Sequence, residues 1–136
     1  MISFNYETDL QLDNEQKLSE WISKAIINEG FNEGEVNYIF CDDAYLLKLN
    51  VEYLAHDTLT DIISFDYTIG KQINGDVYIS AERVIDNAKD YEVSFENEMS
   101  RVLIHGILHY CGYKDKTGVE EAEMRSKENY YISQLD

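Results

Sequence analysis

The sequence contains no proline, only two cysteines and three histidines, and no long apolar run. Cys41 and Cys111 stand far apart in apolar stretches, so we expect two reduced thiols and no disulfide. No segment reaches the ~20 consecutive apolar residues that a membrane-spanning helix needs. The first ten residues lack the basic-then-apolar pattern of a secretory signal. Together these absences predict a cytoplasmic protein.

Basic residues are also scarce, with 11 lysines and arginines against 27 aspartates and glutamates, a formal net charge of -16. Such a charge repels polyanions at long range and argues against non-specific binding of nucleic acid. A nucleic-acid function would therefore need a local cationic patch or a bound metal ion.

The length of 136 residues, with 44% hydrophobic and 12% aromatic residues, predicts one globular domain over residues 1–136. Since proline is absent, glycines and helix caps mark the element boundaries. Apolar alternation predicts strands in ISFNYE, EVNYIFC, DIISFDY and TIGKQINGDVYIS. Helices are predicted after the caps Asp13 or Asn14, Asp42, Ser80 and Ser94, and within TGVEEAEMRSKENYYISQL. The expected fold is α/β, α+β-like, with about four strands in a mixed sheet and about five helices packed on it.

The stretch HGILHYCGYKDK, residues 105–116, carries the chemistry. His105 and His109 are four residues apart on a predicted helix, and side chains at this spacing share one face with Cβ atoms about 5–6 Å apart. Two imidazoles so placed can hold one divalent ion. The pair alone is also compatible with two hydrogen-bonded core histidines.

Further features of this stretch favour a metal site. Gly106 is costly inside a helix, which suggests that something approaches the backbone beside His105. Gly112 is well placed to end the helix and turn the chain back, so that Asp115 can supply an oxygen ligand. Three protein ligands leave a fourth position for water, as in catalytic zinc sites.

The residues between the two histidines separate reaction classes. Zinc proteases of the H-E-x-x-H type use the Glu after the first His as general base. Here the intervening residues are Gly106, Ile107 and Leu108, none of which carries a proton, so that protease mechanism is disfavoured. The base comes from elsewhere in the fold, or the catalytic group is the metal-bound water itself.

Three motifs together resemble one family. HGILHYCGY resembles the histidine motif H-G-x-L-H-x-x-G-Y-D-H of the YbeY family, metal-dependent endoribonucleases of ribosomal RNA maturation. Residues 49–65, LNVEYLAHDTLTDIISF, resemble its L-N-x-x-Y-R-x-x-D-x-P-T-D-V-L-S-F, and residues 75–80, GDVYIS, resemble its G-D-I-x-I-S strand. The matching positions in the longer motif are Leu49, Asn50, Tyr53, Asp57, Thr60, Asp61, Ser64 and Phe65. The resemblance implies His105, His109 and Asp115 as metal ligands.

The chain departs from the family pattern at four positions. Asp115 stands where the family has its third histidine, and Lys114 where it has the preceding aspartate. A carboxylate in place of an imidazole leaves the site less positive, so bound water should be less acidified. Leu54 stands where the family has an arginine associated with activity, and Leu59 where it has a proline.

Three cations are candidates for the phosphate contact that the missing arginine would have made. Lys114 and Lys116 flank Asp115, although both are also typical of a solvated loop. Arg101 lies one helical turn before His105 and can equally pair with an acid. His56 is predicted to be a surface residue, and Asp61 and Ser64 are expected to have structural roles.

The sequence leaves three functions open. The first is a metal-dependent, single-strand-specific endoribonuclease in ribosomal RNA (16S 3′ end) maturation and ribosome assembly, with the small ribosomal subunit and its proteins as partners. The second is a metal-dependent hydrolase of amide or ester bonds. The third is a ribosome-associated assembly factor with a mainly structural metal. One Zn²⁺ is the expected cofactor, although two His and one Asp also suit nickel, iron or manganese.

Overall fold

A computed structural model describes residues 1–55 and 59–135 of the chain. The described residues form a single domain with four strands and five helices, which confirms the predicted fold class. The strands are β1 (Ile2–Tyr6), β2 (Asn32–Cys41), β3 (Ile62–Asp66) and β4 (Gln72–Ser80). The helices are α1 (Glu15–Asn28), α2 (Asp43–Leu54), α3 (Ala81–Asp90), α4 (Phe95–Tyr110) and α5 (Gly118–Ile132). None of these helices is both long enough and apolar enough to cross a membrane.

The strands form one mixed sheet in the order β1-β2-β4-β3. β1 and β4 both pair in parallel with β2, while β3 runs antiparallel to β4 at the edge. Alternation along the strands assigns two faces. One face carries Tyr38, Phe40 and Val77 into the main core with α1 and α4. On the opposite face, Leu46 of α2 packs with Cys41 and Ile63.

Most predicted helix starts are confirmed by their capping bonds. The side chains of Asp42, Ser80 and Ser94 accept hydrogen bonds from backbone N–H groups in the first turns of α2, α3 and α4. Asn14 occupies the cap position of α1 without a side-chain capping bond. These short polar side chains stop the preceding segment and start the helix, which is why the boundaries could be predicted locally.

β2 begins three residues before its predicted start at Glu35. Its pairing with β4 is irregular between Glu33 and Val36, and a side chain at Gly34 would collide with Asn74 and the carbonyl of Ile73. The glycine therefore permits a bulge that keeps the strand paired, which the simple alternation of the sequence did not show.

Gly106 lies where α4 crosses the sheet. An added Cβ would be 3.3 Å from Cγ1 of Val77 and 3.4 Å from Cδ1 of Ile62. Something does approach the backbone beside His105, as the sequence predicts, but the close neighbour is the sheet, so Gly106 by itself is no evidence for a metal site. Because α4 packs tightly on the sheet at Gly106, the two histidines lie beside this contact and line the cleft that α4 forms with α5 and the start of β3.

Gly75 provides a test of the close packing between the sheet and α4. An added Cβ would be 2.5 Å from Cζ and Oη of Tyr110, whose hydroxyl lies 3.1 Å from the carbonyl of Phe65 and 3.0 Å from that of Asp76. We expect Gly75→Ala to lower the free energy of unfolding by about 1–3 kcal/mol through overpacking, measured by urea denaturation. Gly118→Ala, where an added Cβ meets nothing within 4 Å, is the control. Equal stabilities of the two variants would contradict this packing.

Candidate metal centre

His105 and His109 lie one turn apart on α4 and face the space between α4, α5 and the start of β3. Their rings meet edge to face with centroids 4.5 Å apart, and the two Nε2 atoms are 3.0 Å apart. Both side chains are half-buried, with 20% and 30% of their surface exposed. The two histidines are therefore neighbours, as their spacing in the sequence predicts, and one nitrogen of each ring lies close to that of the other.

The turn after α4 brings Asp115 to the same point. Gly112 adopts a left-handed conformation with φ of 103°, and its N–H donates to the carbonyl of His109. The chain then enters α5 through a capping box in which Thr117 and Glu120 bond each other's backbone N–H groups. Since both ends of this turn are fixed by backbone bonds, Asp115 is held between α4 and α5.

The three side chains present a triangle of donor atoms. Oδ2 of Asp115 lies 3.3 Å from Nε2 of His105 and 3.4 Å from Nε2 of His109. Two tetrahedral ligands of an ion, each at the usual ~2.0–2.1 Å, are about 3.3 Å apart. The three residues therefore form a group that can hold one metal ion, as predicted.

The other nitrogen of each ring has a partner that orients it. Nδ1 of His105 lies 2.6 Å from Oε2 of Glu128, and Nδ1 of His109 lies 3.0 Å from the carbonyl oxygen of Tyr113. Both partners are acceptors, so each neutral ring carries its proton on Nδ1. The unprotonated Nε2 atoms then converge with the carboxylate of Asp115, an arrangement that only a cation or a shared proton satisfies. This is the usual surrounding of metal-binding histidines.

Glu128 is the strongest electrostatic partner of His105. Burial by itself lowers the pKa of His105, but the hydrogen bond and charge of Glu128, with the charges of Asp115 and Asp61, outweigh burial and raise it. Burial raises the pKa of Glu128, but hydrogen bonds from His105 and Arg101 outweigh it and lower that pKa. Glu128 is therefore a buried anion that increases the affinity of His105 for a positive charge.

A cluster around Glu29, just after α1, fixes the turn from the outside. The Tyr113 hydroxyl donates to Oε1 of Glu29 over 2.7 Å, and Lys127 donates to Oε2 over 3.3 Å. The Tyr131 hydroxyl also donates to Oε2. Because the carbonyl of Tyr113 accepts the bond from His109, Glu29 acts on the position of that ring through Tyr113.

The metal-binding group lies in a cleft of about 760 Å³ between α4, α5 and the start of β3. Its size is within the ~300–1,000 Å³ of small-ligand sites. The charged residues of its lining are Asp61, Glu98, Arg101, His105, His109, Asp115, Glu121, Arg125 and Glu128. Thr60, Ser64, Tyr91 and Gly118 also contribute to the walls.

Of the three cations predicted to contact phosphate, Arg101 lies in the cleft, whereas Lys114 and Lys116 lie outside its described lining. Arg101 lines the cleft, but its Nη1 forms an ion pair of 3.0 Å with Oε1 of Glu128, so its charge is largely compensated. Lys114 and Lys116 are exposed and lie outside the described lining of the cleft. Leu54, at the end of α2, offers no cation. The phosphate role of the two lysines stays a prediction.

Asp61 lines the cleft and also bonds nearby backbone. Its pKa is raised, mainly by burial, and the charge of His105 and hydrogen bonds from the backbone of Asp61 and Ile62 offset part of that rise. The backbone bonds agree with the structural role expected from the sequence. Ser64 also lines the cleft, while His56 and the family-matching Asp57 lie outside the described residues.

Sequence reasoning missed Glu128, Glu98 and Arg125. Glu128 is 3% exposed and follows Met124 by four residues on the buried face of α5. Glu98, also 3% exposed, interrupts the apolar face of α4 in the same way. A carboxylate within an apolar helical stripe was the available signal, because buried carboxylates need a partner.

Comparison with known proteins agrees with the geometry of the cleft. The family model described as Endoribonuclease YbeY matches residues 2–136. The Endoribonuclease YbeY of Flavobacterium johnsoniae is 65% identical over 133 residues, which cover 98% of this chain and 96% of the relative. The protein of the same name from Flavobacterium psychrophilum is 60% identical over 129 residues, covering 95% and 92% of the two chains.

A solved structure shares the fold. The solution structure of TM1509 from Thermotoga maritima superposes with a TM-score of 0.70 at 25% sequence identity. The match covers 99% of this chain and 89% of that one. The similarity therefore extends over the whole mixed sheet and its helices.

Glu128→Gln tests the partner of His105. The variant keeps an acceptor near Nδ1 but loses the negative charge, so we expect affinity for Zn²⁺ to fall about 10- to 100-fold. Competition with a chromophoric chelator measures it. Glu123→Gln, an exposed glutamate of α5, should bind Zn²⁺ as the unchanged protein does. The assignment is wrong if both variants bind equally well.

The shifted pKa of Glu29 leads us to expect that the free energy of unfolding depends on pH. Burial raises the pKa of Glu29, but hydrogen bonds from Tyr131 and Tyr113 and the charge of Lys127 outweigh burial and lower it below its usual 4.5. The folded state then binds this proton more weakly than the unfolded chain. The stabilisation is therefore present above the unfolded pKa and lost as pH falls through the folded one.

We accordingly expect the difference in unfolding free energy between the unchanged protein and Glu29→Gln to shrink as pH falls from about 7 to about 3. Urea denaturation at a series of pH values measures it. Glu20→Gln, an exposed glutamate of the same helix, should show no comparable trend. A difference that stays constant across the range would refute the role of this ionised cluster.

Proposed function

The chain belongs to the YbeY family of endoribonucleases, and on that premise we propose that it is a metal-dependent, single-strand-specific endoribonuclease. The observation that carries the proposal is the convergence of His105, His109 and Asp115, whose donor atoms lie 3.0–3.4 Å apart. Three protein ligands open to a cleft are typical of catalytic metal sites, whereas structural zinc sites are usually closed by four.

The chain's own residues supply positioning and charge. A divalent ion in this site supplies Lewis-acid stabilisation of phosphoryl oxygen and acidifies water. Glu128 and the carbonyl of Tyr113 hold the two imidazoles in the tautomer that such an ion requires. Arg125, with 58% of its side chain exposed at the cleft, is a cation available to the RNA substrate. Its contact with Glu128 is 3.8 Å, longer than that of Arg101.

The shape of the cleft supports a single-stranded substrate. A volume of about 760 Å³ is within the range of sites that enclose small ligands, and an unpaired nucleotide is a ligand of that class. RNA-binding proteins usually read unpaired bases, which can enter such pockets. A net charge of -16 disfavours non-specific electrostatic binding to the backbone of a duplex, so RNA binding depends on contacts within the cleft.

The biological setting proposed is maturation of ribosomal RNA, at the 3′ end of the 16S species, and ribosome assembly in the cytoplasm. The resemblance of the motifs to the family supports this role. The acidic surface also suits association with the small ribosomal subunit through its proteins, many of which are basic. Zn²⁺ is the proposed ion, since the donor spacing suits tetrahedral coordination and the ligand set of two imidazoles and a carboxylate is one that zinc uses.

One observation favours a second candidate, an assembly factor in which the metal is mainly structural. The cleft has few uncompensated cations, because Arg101 is paired with Glu128 and Leu54 replaces the family's arginine. The carboxylates of the lining outnumber its arginines. A protein with this cleft would bind RNA weakly and act through protein contacts.

The decisive experiment combines metal content with RNA cleavage. We expect the purified protein to hold about one ion per chain, bound by the three-ligand group of His105, His109 and Asp115. We also expect it to cut a single-stranded RNA but not its duplex. Asp115→Ala should lose most of the metal and the cleavage, because one corner of the donor triangle is removed. Plasma mass spectrometry and gel electrophoresis measure the two quantities on the same samples.

Asp13→Ala, an exposed aspartate outside the cleft, is the matched control and should retain both properties. Metal bound without cleavage would favour the assembly factor. Full metal content in Asp115→Ala would mean that the third ligand lies elsewhere.

A further inference from the structure

Glu98 is a buried carboxylate that faces the cleft without a hydrogen-bonding partner. It is 3% exposed and lines the cleft, and its carboxylate makes no hydrogen bond or ion pair within residues 1–55 and 59–135. Its electrostatic neighbours are all cleft residues: Asp61, Arg101, Arg125 and Glu128. Burial, and then the charge of Asp61, raise its pKa. Its oxygens are accessible from the cleft and are not among the fully buried side-chain atoms of the described residues that lack a partner, so a ligand in the cleft that presents hydrogen-bond donors can reach them.

The other buried or half-buried carboxylates of the cleft have assigned partners, while Glu121 is exposed to solvent. Glu128 binds His105 and Arg101, Asp115 belongs to the metal-binding group, and Asp61 accepts from backbone N–H groups. Glu98 therefore differs from its neighbours in having two acceptor oxygens available. A ligand for Glu98 must present donors, and preferably two that lie side by side.

Among the RNA bases, guanine meets this requirement. Its Watson–Crick edge presents two adjacent donors, N2–H and N1–H, followed by the acceptor O6. Uracil, adenine and cytosine each present no more than one donor followed by an acceptor. The guanine edge thus needs two acceptors and one donor, and Glu98 supplies the acceptors. Arg125 supplies the donor, because it lies near Glu98 and its side chain is 58% exposed.

The spacing from the metal-binding group also suits a nucleotide. Glu98 precedes His105 by seven residues of α4, a distance of about 10 Å along the helix. That length is comparable with the reach from a phosphate to the far edge of its base. Tyr91, after the end of α3, lines the same cleft and is 60% exposed, so its ring is available for stacking.

We propose that the cleft around Glu98 is a guanine subsite of the RNA substrate, in which Glu98 accepts N1–H and N2–H and Arg125 donates to O6. The proposal rests on the proposed endoribonuclease function and adds a base preference to it. A substrate phosphate at the His105–His109–Asp115 group then carries, or lies next to, the recognised guanosine.

The test is equilibrium binding of short labelled oligonucleotides to the zinc-loaded protein, followed by fluorescence polarisation. The probes are 2′-O-methyl uridine hexamers with one central guanosine, inosine or adenosine, and gel electrophoresis checks that they stay intact. We expect the guanosine probe to bind about 10- to 100-fold more tightly than the adenosine probe, as for a bidentate base contact. Inosine, which keeps N1–H and O6 but lacks the N2 amino group, should be intermediate.

Glu98→Gln replaces one acceptor by a donor and should abolish the preference for guanosine while leaving zinc content unchanged. Glu96→Gln carries the same charge change in the same turn of α4, but Glu96 is exposed and outside the cleft lining, so the preference should persist. If Glu98→Gln does not fold, Arg125→Leu makes the same test at an exposed side chain. Retention of the guanosine preference in Arg125→Leu would overturn the proposal.

The remaining outcomes separate the subsite from the function. Equal binding of the three probes by a protein that cleaves single-stranded RNA would overturn the guanine subsite and leave the endoribonuclease standing. Failure to bind or cleave any RNA would overturn both. Loss of a second metal ion in Glu98→Gln would show that Glu98 is a cation ligand and would also overturn the subsite.

Discussion

The contact between Glu128 and His105 is the interaction on which the candidate site depends. A carboxylate of α5 that is almost fully buried lies 2.6 Å from a ring nitrogen of α4, and its other oxygen lies 3.0 Å from Arg101. Removing His105 or Arg101 would leave this buried charge with one partner fewer, which is unfavourable. The contact therefore fixes α5 on α4, sets the proton position on His105 and forms one wall of the cleft.

The positions of His105 and His109 also depend on contacts made by elements other than α4 and α5. Glu29, at the end of α1, holds Tyr113, and the carbonyl of Tyr113 holds His109. On the other side of α4, the absence of a side chain at Gly106 lets the helix lie close to Val77 of β4. Residues from α1, the sheet and α5 thus determine where the two histidines of α4 point. Ligand atoms need placement within a few tenths of an ångström, and this shell of contacts supplies it.

Charge sets the conditions under which such a protein can act on RNA. Its surface repels polyanions, and most of the charged groups in the cleft are carboxylates. In the proposed function a bound metal ion would supply much of the attraction for phosphate, with Arg125 as the exposed arginine of the described lining. Under these conditions, hydrogen bonds to a base contribute proportionally more to substrate recognition than backbone contacts do.

Local patterns in the sequence were sufficient for the element order, the caps Asp42, Ser80 and Ser94, and the helix end at Gly112. They were also sufficient to predict that His105 and His109 are neighbours, because residues four apart on a helix lie on the same face. The position of Asp115 followed from a short turn of predictable direction.

The sequence could not show the role of Glu128, which lies 23 residues after His105 and meets it only because α5 packs back onto α4. Nor could it show that Arg101 would be compensated, that Gly106 faces the sheet, or that Glu98 would be buried without a partner. The sequence by itself thus determined the elements and the three residues of the candidate metal-binding group, since these depend on backbone periodicity and short turns. Only the tertiary structure decided the partners of those ligands and the chemistry of the cleft, since burial and charge compensation depend on how separate elements pack together.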